Sequence, residues 1–274
     1  MKRKTLRDRF ALVTSVALVG GALFGPTPVS AQTAGSAMGS AYGVQLGGPV
    51  PIAARPTVEA VVPPGTEVHE TDSLIEVPAD PLATSFTALV EADASTKPDI
   101  EAKLQDTIEG QFAGAPAKWH GRGFAITEDL VAVTGQVTAD VIESESVAGC
   151  DGTTPVFGSA TRILNLSLGG TNIPIINPSP NQTLVDAGGI KIVFWETNWD
   201  PATGGTTDGE DTVFTNALHV TAPAGVDLIV SHSDATVATC RPAQPEPDPD
   251  PEPEPPAPPA PPAAPIEDEP LFTG

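Results

Sequence analysis

Between about residues 40 and 241 apolar side chains alternate with polar ones over short runs that Gly, Pro and Asn interrupt. Successive side chains of an extended chain point to opposite faces, so a period of two marks strands with one buried face. Leu164, Leu166 and Leu168 fall on one face in ILNLSL, and Val131, Val133, Val137, Ala139 and Val141 do the same across a longer run that Gly135 bends or bulges. Residues 190–195, 213–221 and 226–233 are further runs of this kind. So many short strands, broken so regularly by turn residues, predict an all-β, sandwich-like antiparallel domain over residues 40–241. Residues 98–109 stand apart. They are rich in helix formers, with Ile100, Leu104 and Ile108 four apart and Thr96 placed as a cap, and predict a short helix. An edge strand is the alternative, because the same three residues also share one strand face.

The two ends read differently. A basic stretch ending at Arg9, an apolar run of 15 residues from Phe10 to Phe24, and the small residues Val29, Ser30 and Ala31 make the pattern of a secretory signal peptide over residues 1–31, cleaved between Ala31 and Gln32. The run falls short of the roughly 20 residues that cross a bilayer, so no transmembrane anchor is expected. Residues 32–39 read as a flexible N-terminus. Residues 242–274 read as an acidic, Pro-rich disordered tail, in which proline at about every second position removes backbone donors and forbids helix and sheet. As an extended polyproline spacer, residues 242–265 would reach roughly 75 Å. The final Leu271-Phe272-Thr273-Gly274 is similar to the L-P-x-T-G signal cut by sortases, without its proline.

Charge sharpens this picture. Five of the 13 basic residues and one of the 35 acidic ones precede residue 32, so the remainder carries 34 acids against 8 bases and a formal charge of −26, where the whole chain has −22. A basic patch for nucleic acid or an anionic membrane is excluded. Cys150 and Cys240 are the only cysteines and both lie in the exported part, which predicts a disulfide between them. Ninety positions apart and without a C-x-x-C, they make poor zinc ligands.

A faint repeat joins residues 42–52 (YGVQLGGPVPI) to residues 165–175 (NLSLGGTNIPI), each a strand running through Gly-Gly into a second strand with Pro-Ile. Two related halves explain it, and so do convergent glycine-turn hairpins. The segments SAYGVQLGG, SATRILNLSLGGTNIPI and TNALHVTAPAGVDLIVSHS, with the two cysteines around them, resemble the actinobacterial choice-of-anchor P secreted proteins over roughly residues 36–240. The resemblance implies export, a variable C-terminal device for attachment to the cell surface, and no known enzyme activity.

Candidate chemistry is sparse. No H-E-x-x-H, G-x-S-x-G or phosphate-cradling glycine loop occurs. His219 and His232, on neighbouring strands, form a candidate metal or base pair, with hydrogen-bonded strand histidines as the alternative; alternation puts His219 opposite Leu218 and Val220, and His232 on the face of Leu228 and Val230. Trp195 and Trp199 would share a face of an extended chain, forming either an aromatic platform for a sugar or buried core. No cofactor is expected beyond one candidate, calcium, held by Asp200, Asp208, Glu210 and Asp211 in a glycine-rich loop; a solvated turn is the alternative. The function expected is that of a non-catalytic exported protein of the cell envelope or medium, its sandwich displayed on a Pro-rich stalk, with a cell-wall glycan or surface protein as partner. A carbohydrate-binding or adhesive module and an extracellular glycan hydrolase are the alternatives.

Overall fold

The computed structural model describes residues 32–48, 51–62, 66–76, 85–105, 118–132 and 136–242. Residues 1–31, which carry the signal-peptide pattern, and residues 243–274 lie outside these. One sheet has the order β10 (Gln182–Ala187), β11 (Ile190–Thr197), β14 (Thr212–Ala222), β15 (Val226–Pro242), β1 (Gln32–Gly47) and β2 (Ile52–Val62). The second runs β3 (Glu67–Glu76), β4 (Ser85–Ser95), β5 (Gly121–Ala132) and β6 (Val137–Asp151). The far side of β6 is taken by β7 (Thr154–Leu164) and, near its start, by β8 (Ser167–Leu168), which pairs β9 (Thr171–Asn172). A small ribbon of β12 (Trp199–Asp200) and β13 (Gly205–Thr206) completes the described strands. Neighbouring strands are antiparallel and the sheets face each other, β1 and β15 over β4 to β6 and β14 over β6 and β7. This is the all-β sandwich the alternation predicts.

Apolar side chains fill the two ends of the space between the sheets. Leu130, Ile142, Leu166, Ile192, Leu218, Leu228 and Val230 pack at one end, and Phe157, Phe194, Trp195 and Trp199 at the other. Between them lies a buried chain of polar groups: Trp195 Nε1 donates to Ser159 Oγ at 2.7 Å, Ser159 meets Thr215 at 2.6 Å, Thr215 meets Ser146 at 2.7 Å, and Ser233 donates to Ser146 at 3.1 Å. Partnered in this way, these groups escape most of the cost that unpaired burial imposes. At the centre the sheets touch backbone to backbone. A Cβ on Gly39 would lie 1.9 Å from the Arg122 carbonyl oxygen, and one on Gly123 2.1 Å from that of Ser40.

That close approach corrects the reading of residues 32–39. They are not a free N-terminus but the first half of β1, paired with β15 from Gln32↔Pro242 onward. Their sequence, TAGSAMGS after Gln32, lacks large alternating apolar residues because Ala34, Ala37 and Gly39 sit where only small groups fit. The helix of residues 98–109 is also corrected over its described part. Ile100 forms an isolated bridge with Trp119, helical backbone reaches no further back than Gln105, and residues 106–109 lie outside the description. Instead, Ile100, Ala102 and Leu104 join Trp119 as a cover over Val147 and Ala160 on the outer face of the second sheet.

Two runs expected to be continuous are broken, the first by a residue in the left-handed region and the second at residues 133–135, which lie outside the described residues. Asn165 (φ 56) separates exposed Leu164 from buried Leu166, so the three leucines do not share a face. The run from Val131 to Val141 is a hairpin, with Val131 at the end of β5 facing out and Val137 in β6 facing in. The repeated segments occupy different places: the first joins β1 to β2 in one sheet, and the second is the short β8–β9 ribbon at the margin of the other.

Candidate functional site on an outer sheet face

At one level of the first sheet, neighbouring strands lose their in–out alternation together. Ladder pairs step from Phe194↔Leu218 to Glu196↔Asn216, from Leu218↔Val230 to Asn216↔His232, and from Val44↔Val230 to Tyr42↔His232. Trp195 and Ser231, at this level, have φ of 54 and 51. That conformation costs a non-glycine residue about 1–2 kcal/mol, and it turns the side chain to the same side as its predecessor. Phe194 and Trp195 are therefore both buried, as are Val230 and Ser231, and the next residues, Glu196 and His232, emerge on the outer face. His232 is thus opposite in facing to Leu228 and Val230, a reversal of the simple alternation.

This phase slip assembles a polar ladder across four strands. His219 of β14 meets Glu196 Oε2 of β11 through Nδ1 at 2.8 Å and Asp227 Oδ1 of β15 through Nε2 at 2.7 Å. Asn216 donates to Glu196 at 2.7 Å and lies 2.5 Å from His232 Nδ1, while His232 Nε2 lies 2.8 Å from Asp234 Oδ2. Ser40 of β1 donates to the same Asp234 oxygen at 3.0 Å. The Tyr42 ring stacks on the His232 imidazole, centroids 4.3 Å apart and planes 16° from parallel. Beside Tyr42 a groove of about 420 Å³ opens between β1 and β2, lined by Ser40, Ala41, Tyr42, Thr57, Val58 and Glu59.

The two carboxylates around His219 raise its pKa above the ordinary imidazole value, the Glu196 hydrogen bond contributing most, while His219 in turn holds Glu196 below the usual carboxylate range. Burial, followed by Asp234, Asp227 and Glu196, pushes the Tyr42 phenol upward, so it remains a protonated donor. A histidine with a raised folded pKa contributes stability that is complete below its unfolded pKa and is lost as pH rises through the folded one. We therefore expect the wild type to lose more stability than His219→Gln between about pH 6 and about pH 8.5, measured by urea unfolding, since the variant lacks this titration. Parallel pH profiles would contradict the assignment.

A second charged cluster lies on the outer face of the second sheet. Arg122 pairs with Glu91 at 2.6 Å, Asp93 at 2.7 Å and Glu145 at 3.2 Å, and Lys103 also pairs with Glu91. Glu145 is fully buried and accepts the backbone N–H groups of Lys103 (2.8 Å) and Leu104 (2.5 Å) from the covering segment. Burial pushes its carboxyl up to about 7 despite Arg122 and these donors. With no free face of Glu145 open to a substrate, this cluster fastens the cover to the sheet. His69 pairs with Asp93, and buried His120 meets the Ser95 carbonyl oxygen through Nδ1 at 3.1 Å, its pKa lowered by burial.

Of the residues singled out in the sequence, Cys150 and Cys240 are joined in a disulfide, Cα atoms 5.5 Å apart. Trp195 and Trp199 do come together, stacked with centroids 6.0 Å apart, but each is only 1% exposed. They are core, not an aromatic platform, because the slip at Trp195 turns its ring inward. The four loop carboxylates are not brought together. Asp200 accepts from Ala202 N and Thr203 Oγ1, and Asp208 from Asn198 Nδ2 and Glu210 N. These are turn contacts, and they hold Asp208 below its ordinary pKa, the Asn198 amide most of all. Among the described residues no three of His, Cys, Asp and Glu are grouped to hold a metal ion. We expect millimolar calcium to leave the melting temperature of the wild type and of Asp208→Ala unshifted; a rise in the wild type alone would restore a site in this loop. Gln32 begins β1, and Ala31 lies outside the described residues.

Glu196, Asn216, Asp227, Tyr42 and Asp234 were not singled out by sequence, since their adjacency is set by strand register rather than by any local motif. No protein-family model, no curated protein and no solved structure matches this chain.

Proposed function

We propose that the chain is a non-catalytic exported protein of the cell envelope or extracellular medium, whose sandwich is presented on the Pro-rich sequence that follows it. The observation that carries this reading is the Cys150–Cys240 bridge linking the two sheets, a bond that persists in oxidising compartments and is rare in cytosol. The basic–apolar–small pattern of residues 1–31 and the resemblance to choice-of-anchor P proteins support it. A cell-wall glycan or a surface protein is the proposed partner. Cell fractionation with N-terminal sequencing tests the reading: the protein should leave the cytoplasm beginning at or near Gln32 and carry no free thiol. Full-length chain retained in the cytoplasm with two reactive cysteines would overturn it. Incubation with cell-wall and glycan preparations tests the second part, and product release abolished by a single carboxylate substitution would show an enzyme instead.

A further inference from the structure

We propose that the groove between β1 and β2, on the outer face of the first sheet, binds a neutral oligosaccharide, with Tyr42 packed on a sugar ring and Ser40, Thr57 and Glu59 meeting its hydroxyls. This rests on the glycan partner proposed above and deepens it by naming the site and the ligand class.

The groove combines the groups such a ligand uses. Sugars present a C–H face, which an aromatic ring covers, and a rim of hydroxyls that both donate and accept, which carboxylates and hydroxyls satisfy. Tyr42 supplies the ring and its position is fixed, because it stacks on His232, itself held by Asn216 on one side and Asp234 on the other. Preorganisation of this kind lowers the entropic cost of binding. Thr57 faces Tyr42 and Glu59 faces Ser40 across the β1–β2 ladder, so two polar residues from each strand converge on the groove. Both Thr57 and Glu59 are exposed, and neither side chain hydrogen-bonds another described residue. Since β2 ends its sheet, the groove is open at the side and admits a chain rather than a single enclosed ring.

Charge selects the ligand within this class. Glu59 lines the groove, Asp234 and Glu196 stand behind Tyr42, and the chain after residue 31 carries a formal −26. Uronates, sulfated glycans and phosphate-linked polymers would be repelled. The carboxylates of the ladder are already matched by His219, His232 and Asn216, which argues for a neutral partner over a metal ion.

Isothermal titration of the purified exported chain with cellohexaose, chitohexaose, mannohexaose and xylohexaose, and with oligogalacturonate of equal length, tests this. The expected result is saturable binding of at least one neutral hexasaccharide, weakened about tenfold or more in Tyr42→Ala, with no binding of the oligogalacturonate. Because Tyr42→Ala removes a stacked ring, Glu59→Gln serves as the second variant; exposed on the edge strand, it should weaken binding with an unchanged melting temperature. Absence of saturable binding to every neutral hexasaccharide at millimolar concentration would overturn the proposal, as would wild-type affinity retained in both variants or preference for the oligogalacturonate. Release of shorter products from a bound neutral chain would support this site while overturning the non-catalytic reading above.

Discussion

Removing the Cys150–Cys240 bridge, by Cys150→Ala with Cys240→Ala, is expected to lower the melting temperature by about 10–15 °C. The cysteines are separated by 90 positions, a loop holding everything from the end of β6 to the end of β15. In the chain-entropy account, closing a loop of that length in the unfolded ensemble stabilises the native state by about 4–5 kcal/mol, and a domain of about 200 residues shifts by roughly 2–4 °C per kcal/mol. The native contacts add to this. Cys150 and Cys240 are buried with Ala34, Ala148, Phe157 and Val237, and they join the last residues of a strand in one sheet to the last residues of a strand in the other. Without the bridge, that end of the sandwich is held by the packing of Phe157, Phe194, Trp195 and Trp199 and by the β1–β15 ladder, with no covalent link between the sheets. Calorimetry of the wild type and the double variant, both under non-reducing conditions, gives the difference. A shift below about 3 °C would mean that the unfolded chain gains little freedom when the bridge is absent.

How far the fold can be read from sequence depends on what each strand buries. β11, β14 and β15 carry Ile192, Phe194, Leu218, Val220, Leu228 and Val230 inward, large groups whose alternation marks them plainly. The first half of β1 and the end of β4 are equally well ordered, but they bury Ala34, Ala37, Ala92 and Ala94, beside the point where Gly39 brings the backbones of the two sheets together. Small residues leave a faint hydropathy signal, so a buried strand reads as a linker. Residues 98–105 mislead for a related reason: their apolar spacing fits a helix, yet what it matches is the apolar outer face of β6 and β7 that they cover. The bridge was legible because only two cysteines exist. The polar ladder was not, since it depends on left-handed residues at Trp195 and Ser231 that no local rule for Trp or Ser anticipates, and on registers between strands remote in sequence. His219 and His232 were correctly placed on adjacent strands, but they are linked through Glu196 and Asn216, not directly. The tryptophans do come together, and of the two readings open to them burial is the one that holds, again through the left-handed turn at Trp195.

Arg122→Ala is expected to cost about 3–5 kcal/mol, more at pH 8 than at pH 5. The guanidinium is only 7% exposed and is the shared partner of Glu91, Asp93 and Glu145, while it also lies 5.7 Å from the Phe124 ring centre. Its loss leaves three carboxylates clustered beside the 98–105 cover, one of them wholly buried, with Lys103 and His69 the cations paired to them among the described residues. Breaking one partner from a buried ionic group costs more than never having built it, because the remaining charges cannot return to water. Lysine would not substitute well, since a point charge reaches one carboxylate where the planar fork reaches several. The pH dependence follows from Glu145. Burial already raises its folded pKa to about 7, above the unfolded value, so its contribution favours the fold at low pH and is lost as pH rises through that interval. Removing Arg122 takes away the cation that opposes this rise and widens the interval upward, so the variant suffers most where Glu145 would be ionised. Glu91 works in the opposite sense: burial raises its pKa, but Lys103 and Arg122 together outweigh that and hold it below the ordinary value. Its stabilisation is present above the ordinary carboxylate range and is lost as pH falls, so losing Arg122 costs least in acid for this group as well. Urea unfolding of wild type and Arg122→Ala at about pH 5 and about pH 8 should therefore show a gap that widens with pH, by roughly 1–2 kcal/mol if one buried carboxylate dominates. A gap equal at both values would mean that Glu145 does not change its ionisation between them, and that Arg122 stabilises through Glu91, Asp93 and its packing on Phe124.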